Sequence, residues 1–184
     1  MTGDLSRQGL IAVADQLRAE EGLLAESLLP PELQFLAEDD PLLGGLAASG
    51  PRSAGREVAI ALVVEAVYEG SLLHAGRSRI LDPADEDLNI LAGDRLYALG
   101  LATLADLGDL DSVRELADVI AICAQSVAQQ EPALAAAAWQ LGASTIGWGS
   151  SPACEAAKAT VGGDPLVAAT TIEAAAAGLR ESAH

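Results

Sequence analysis

The sequence predicts an all-α protein built as a helical bundle, and three observations lead to that prediction. Hydrophobic residues make up 51% of the 184 residues but aromatic residues only 3%, and alanine supplies much of the difference. Alanine and leucine are the strongest helix formers. Apolar residues also recur at intervals of three and four, in stretches of helical length that prolines and glycines separate. We therefore expect a single helical domain over residues 1–184.

The first predicted helix begins at Asp4 or Ser6 and ends at Leu29, before the double proline Pro30–Pro31. Residues 30–53 contain further prolines and glycines, so we predict an irregular connection there with one short helix over Glu32–Leu36. That connection is interpreted as a solvated linker, with a lid or a partner-docking segment as the alternative. The apolar stripe expected on the first helix is Leu10, Val13, Leu17, Leu24 and Leu28.

A second helix is predicted from Ala54 to His74, and it is apolar on nearly all sides from Val58 to Val67. A helix of that kind is surrounded by other helices, so it is expected at the centre of the bundle. Its Glu65 and Glu69 lie one turn apart and form either a paired-carboxylate metal site or, as we favour, a solvated or partner-facing stripe. His74 ends the helix and is interpreted as a capping or core histidine rather than a catalytic base.

The loop that follows is rich in carboxylates, and these have two interpretations. They are either replacement metal ligands or, as we favour, the start of a helix that Asp82 caps and that runs from Pro83 or Ala84 to Leu107. Within this helix Gly93 is expected to permit close helix contact. Asp94 is expected to make an internal pair, or alternatively to face a cavity. The carboxylates concerned are Asp82, Asp85, Glu86 and Asp87.

Three further helical regions are predicted towards the C-terminus. One helix spans Asp111–Gln130, the next spans Pro132–Trp148, and residues 150–184 form alanine-rich C-terminal helices over Pro152–Val161 and Leu166–Arg180. Small residues let helices approach closely, so the last segment is expected to pack on the bundle or on another chain. The buried stripe expected on the Asp111–Gln130 helix is Val113, Leu116, Ile120, Cys123 and Val127.

The charge of the chain restricts the classes of partner. A net charge of −17 argues against nucleic acid and anionic membrane surfaces, which both require basic patches. Cys123 and Cys154 are isolated in helical patterns, which favours a reducing compartment over a disulfide or a metal site. No apolar run reaches the length of a membrane span. We expect a cytoplasmic protein that binds no nucleic acid and does not span a membrane.

Two segments resemble a known family. Val64–His74, which reads VEAVYEGSLLH, is similar to the helix that delivers the first aspartate-rich motif in all-α trans-prenyltransferases, the isoprenyl diphosphate synthases. Ile90–Leu96, which reads ILAGDRL, resembles the segment that opens the next helix of that family. The resemblance extends from about Val58 to Gly149 and implies a shortened isoprenoid synthase fold.

The chain departs from the family where the family binds magnesium. The DDxxD motif is replaced by Ala75-Gly76-Arg77-Ser78-Arg79, and the second aspartate-rich motif has no counterpart. We therefore predict no catalytic residues and no cofactor, with magnesium bound only if Asp82, Asp85 and Asp87 replace the lost ligands. The ligand-binding candidates that remain, some by resemblance and some by position, are Arg77, Arg79, His74, Asp94, Gln125 and Gln129. Arg52 and Arg56 weakly resemble a basic motif that binds diphosphate in the family.

Three functional hypotheses follow. The favoured one is a non-catalytic regulatory or small subunit of a heteromeric polyprenyl diphosphate synthase, in which a complete partner supplies the aspartates. The second is a stand-alone relative that binds an isoprenoid or another apolar ligand. The third is a divergent magnesium-dependent prenyltransferase. The first predicts exposed apolar helix faces in a homo- or hetero-oligomer.

Overall fold

The prediction of an all-α bundle is confirmed. The computed structural model describes residues 2–31 and 40–181, and this part of the chain forms nine α-helices and no strand. The only β-type contact among these residues is an isolated bridge between Leu28 and Leu81. The helices are α1 (Thr2–Glu20), α2 (Leu23–Glu26), α3 (Leu43–Ala48), α4 (Glu57–His74), α5 (Glu86–Asp106), α6 (Leu110–Gln129), α7 (Pro132–Trp148), α8 (Pro152–Lys158) and α9 (Pro165–Glu181).

Helix α4 lies at the centre, as its apolar sequence predicts. It packs against α1, α3 and α5, and eleven of its eighteen residues are buried. Val63, Val64 and Val67 join one core cluster with Leu116 of α6 and Trp139 of α7. A second cluster holds α7, α8 and α9 together, and alanine and leucine supply eight of its twelve buried residues. Of the two alternatives predicted for the alanine-rich C-terminal segment, packing on the bundle or on another chain, its described residues show the first.

The first helix is shorter than predicted. It ends at Glu20 because Glu21 and Gly22 adopt positive φ angles of 56° and 83°, which an α-helix does not tolerate. The chain then makes the single turn α2 and runs extended beside the loop that follows α4. There the Leu29 N–H donates to the carbonyl of Ile80 at 2.8 Å. The break places Leu28 against this loop instead of extending the stripe of α1.

The irregular connection predicted over residues 30–53 is wrong in its second half. Residues 43–48 form α3, and Pro51–Ser53 form a 3-10 turn. Two glycines make this possible, because a Cβ on Gly45 would collide with the backbone of Thr2, and one on Gly50 with the backbone of Gly147. The segment is therefore a buried part of the core. The short helix predicted over Glu32–Leu36 lies outside the described residues.

Two details of α5 and α6 also differ from the prediction. Asp85, and not Asp82, caps α5, since its carboxylate accepts from the Leu88 N–H at 2.8 Å. The predicted buried stripe of α6 is wrong at Val127, whose surface is 78% exposed. The stripe that faces the core is rotated around the helix and consists of Ser112, Glu115, Leu116, Val119, Ile122 and Ser126.

Candidate functional site

The loop that follows α4 and the inner face of α4 together form a buried ion cluster. Arg79 folds back from the loop onto α4, where its Nη2 lies 2.9 Å from Glu65 Oε2 and its Nε donates to Glu69 Oε2 at 2.8 Å. Both glutamate side chains are fully buried, and that of Arg79 is 6% exposed. Its guanidinium carbon also lies 5.0 Å from the centre of the Tyr68 ring. The loop therefore supplies its own cation to the two carboxylates.

Two backbone N–H groups and one hydroxyl also donate to the carboxylates of the cluster. The Gly44 N–H of α3 donates to Glu65 Oε1 at 2.9 Å, and the Arg79 N–H donates to Glu69 Oε1 at 2.7 Å. The Ser78 hydroxyl donates to the same Glu69 oxygen. Burial raises the pKa of Glu65 above its usual value of 4.5, although the Arg79 charge opposes the shift. The two carboxyl groups thus share one guanidinium, and burial favours the protonated form of Glu65.

This geometry corrects the interpretation of Glu65 and Glu69 as a solvated or partner-facing stripe. Both side chains are inside the fold because α3 and the loop that follows α4 cover the face of α4 that carries them. Their metal-binding alternative has a specific obstacle, since Arg79 already occupies the position between them. The interpretation of Arg79 as a phosphate ligand meets the same obstacle.

His74 and Asp94 come together where the end of α4 packs against α5. His74 Nε2 lies 3.2 Å from Asp94 Oδ1, and the His74 ring lies 5.2 Å from that of Tyr97. A Cβ on Gly93 would lie 2.8 Å from His74 Nε2, so the predicted close helix contact at Gly93 is confirmed. The pair joins α4 to α5 at the protein surface, because the Asp94 side chain is 67% exposed.

The other candidates are spread over the molecule. Gln125 donates from Nε2 to the carbonyl of Val161 at 2.8 Å, and Gln129 is half-buried near the end of α6. Asp82 and Asp87 are exposed, and Asp85 serves as the helix cap. Within residues 2–31 and 40–181, no three His, Cys, Asp or Glu side chains are placed to hold a metal ion together.

Arg52 and Arg56 lie at the opposite end of α4, at the start of α6. Arg56 Nη2 lies 2.8 Å from Asp109 Oδ2, and Arg52 Nη2 lies 3.3 Å from Asp109 Oδ1. Burial alone would raise the pKa of Asp109, but hydrogen bonds from Ser112 and the two arginines lower it. The same carboxylate caps α6 through the Ser112 N–H. These arginines therefore anchor the start of a helix.

A cavity of about 340 Å³ opens between α4, α6 and α7. Its walls are mainly apolar, with Leu72 from α4, Val127 from α6 and Trp139 from α7. Arg77 lies in its lining and is exposed to solvent. Among the sequence candidates, Arg77 is the one that the structure places in this cavity.

Helix α6 has a second apolar face, of which six residues are exposed while Val113 and Ile120 are half-buried against the core cluster. This outer face of α6 points away from the core stripe and carries no charged or polar side chain along the length of the helix. Val127 is 78% exposed, and Leu110 is 65% exposed. The buried stripe predicted from the sequence combined residues of both faces. Leu116 faces the core, whereas Val113, Ile120 and Val127 belong to the outer face and are half-buried or exposed. The residues of the outer face are Leu110, Val113, Ala117, Ile120, Ala121, Ala124, Val127 and Ala128.

The comparisons with known proteins add no relative. No family model matches the chain, and neither does any curated protein or solved structure. Of the helices that the structure describes, none combines the length and hydropathy that crossing a membrane requires.

Proposed function

We propose that this chain is a non-catalytic subunit of a heteromeric polyprenyl diphosphate synthase and docks on a catalytic partner through the outer face of α6. The observation that supports the proposal is the uncovered apolar face itself. It extends from Leu110 to Ala128, about 27 Å at the usual helical rise. Exposed apolar surfaces of this extent are typical of protein–protein interfaces.

Helix α5 enlarges this surface. Ala98, Ala102 and Ala105 are exposed on one side of α5, and Leu101 beside them is half-buried. Tyr97 and Leu101 pack on the same core cluster as Val113 and Ile120 of α6, so the two surfaces adjoin. A pair of neighbouring helices with small side chains permits a second pair to pack closely against it.

Charge favours a different chain over a second copy. Each copy carries a net charge of −17, and acidic residues such as Asp94, Asp106 and Asp111 lie near the edges of the apolar surface. Arg114 is a nearby cation, and its Nη1 lies 3.6 Å from Asp111 Oδ1, so it pairs with one of these carboxylates. Two identical surfaces would bring their acidic edges together, whereas a partner with basic residues around an apolar patch would complement them.

The link to prenyl synthases rests on the resemblance of α4 and α5. The segments Val64–His74 and Ile90–Leu96, which carry it, pack against each other through Gly70 and Gly93. Arg79 occupies the position where the family has the last aspartate of DDxxD, and it pairs with Glu65 and Glu69. The chain would therefore contribute helices to the assembly, while its partner contributes the metal ligands.

The test uses a charge placed on the docking surface. The tagged chain is purified from its native host as wild type, as Ala124→Glu and as Ala174→Glu, and co-purifying proteins are identified by mass spectrometry. Ala174 is an exposed alanine of α9 and serves as the matched control. We expect wild type and Ala174→Glu to recover a complete prenyl diphosphate synthase, and Ala124→Glu to lose at least nine-tenths of it.

Activity separates the functional hypotheses. The recovered pair should convert an allylic diphosphate with magnesium, and the single chain should not. Equal recovery by Ala124→Glu would contradict docking through the outer face of α6. Turnover by the purified single chain would contradict a non-catalytic role and support the divergent enzyme. A stable homodimer that Ala124→Glu dissociates would contradict the heteromeric assembly.

A further inference from the structure

The cavity between α4, α6 and α7 has the properties of a small-molecule site. Its volume of about 340 Å³ falls within the range of ligand pockets, which begins near 300 Å³. Leu72 and Trp139 are buried at its wall, and the Tyr68 and Trp139 rings meet edge to face at 5.1 Å. Such a rigid aromatic and aliphatic wall suits the apolar part of a ligand.

The thiol at the wall of the cavity is uncharged. Cys123 lines the cavity, and burial raises the pKa of its thiol to about 12. The thiol is therefore neutral at physiological pH and contributes a small apolar surface. The carboxylates Glu65 and Glu69, one turn apart on α4, do not line the cavity and are neutralised in part by Arg79.

One cation lies at this cavity. Arg77 follows α4 in the loop, and its backbone N–H is fixed by the carbonyl of Leu72 at 2.9 Å. Its guanidinium takes part in none of the ion pairs between described residues, in contrast to Arg79 two residues later. An exposed guanidinium beside an apolar cavity can bind a carboxylate with two parallel hydrogen bonds.

We infer that this cavity binds a small amphipathic monoanion, a medium-chain carboxylate whose apolar chain lies between α4, α6 and α7 and whose head group binds Arg77. A single guanidinium balances a single negative charge. A phosphate or diphosphate head would bring additional charge into a chain of net charge −17, which repels it. This binding is independent of the assembly proposed above, because it is a property of the single chain.

The test measures binding to the purified full chain by isothermal titration calorimetry with a chelator present. Three probes share one alkyl chain: decanoate, decanol and decyl phosphate, each below its aggregation concentration. We expect decanoate to bind about tenfold more tightly than decanol, which lacks the charge. Decyl phosphate should bind no more tightly than decanoate.

Three variants locate the site. Arg77→Gln should reduce decanoate affinity to that of decanol and leave decanol unchanged. Arg114→Gln, at an arginine whose side chain is 74% exposed, is the matched control and should change neither. Ala136→Trp places a large side chain at an exposed position of the cavity lining and should abolish binding of both probes. Urea unfolding of each variant verifies that the fold is intact.

Several outcomes would overturn the inference. Absence of binding by wild type, equal affinities for decanoate and decanol, or equal effects of Arg77→Gln and Arg114→Gln would each do so. Tighter binding of decyl phosphate would show that the head group is a phosphate. Unchanged binding to a folded Ala136→Trp would show that the ligand binds elsewhere. None of these results depends on whether the outer face of α6 docks on a partner.

Discussion

The cluster around Arg79 and the outer face of α6 both depart from the usual distribution of side chains. The cluster buries charged groups, and the outer face exposes apolar ones. In the first, three charged side chains are at most 6% exposed. In the second, Val127 is 78% exposed and no charge relieves the apolar surface. Buried charges cost free energy unless paired, and exposed apolar surface costs free energy unless covered. The charges of the cluster are paired within the chain, whereas the outer face of α6 would be covered only by another molecule.

The difference shows which region of the chain is stabilised by its own residues alone. At Arg79 the fold supplies two buried carboxyl groups with a cation, and the cation comes from the loop that follows α4. Helix α6, by contrast, covers the core with one face and exposes a second face that is apolar. Substitutions in the two regions should therefore have contrasting effects on stability.

The largest effect is expected from Arg79→Met. The variant leaves Glu65 and Glu69 buried without their cation, which should cost about 3–5 kcal/mol in the free energy of unfolding. Urea denaturation followed by circular dichroism measures it. Arg95→Met is the matched control, because Arg95 pairs with Glu20 at the surface and should lose less than about 1 kcal/mol. Equal losses in the two variants would show that the cluster contributes nothing specific.

A smaller effect is expected from shortening valines on the two faces of α6. Val119 belongs to the core stripe and is 3% exposed, so Val119→Ala should cost about 2 kcal/mol through lost burial and a cavity. Val127→Ala should change the free energy of unfolding of the single chain by less than about 0.5 kcal/mol. Comparable losses would indicate that the outer face is covered in the isolated chain, which would remove the basis for docking.

The smallest effect, counted per unit of pH, is expected from Glu65→Gln. Because the pKa of Glu65 is raised in the folded chain, the fold retains a proton that the unfolded chain releases above pH 4.5. Its contribution to stability is present below that pH and is lost as pH rises through the folded pKa. The wild type should therefore lose stability relative to Glu65→Gln as pH rises above 4.5, by at most about 1.4 kcal/mol per pH unit.

Unfolding by urea between pH 4.5 and 7.5 measures this difference. Many other carboxylates titrate in a chain of net charge −17, so only the difference between wild type and Glu65→Gln is informative. Parallel stability profiles, or a wild type that gains on the variant as pH rises, would contradict the raised pKa. The Asp109 carboxyl has a lowered pKa and contributes with the opposite sign, but equally in both proteins.

The fold class and the central position of α4 follow from the sequence because they depend on composition and apolar periodicity. The break at Gly22 and the helix Leu43–Ala48 do not, since the break depends on positive φ angles at Glu21 and Gly22 and the helix depends on the close backbone approach at Gly45, and no local pattern records either. The site was predictable in part. A helix that is apolar on all sides is buried on all sides, so Glu65 and Glu69 required a cation. Which loop arginine supplies it depends on how the loop folds back, and the sequence does not determine that.

Val127 borders the cavity and also lies on the outer face of α6. A partner seated on that face would contact the same side chain that a cavity ligand contacts, and free-energy coupling between two such binding events is reciprocal. If a ligand tightened docking by some factor, docking would tighten the ligand by the same factor. One valine would then let the metabolic supply of a small molecule govern whether two proteins stay together.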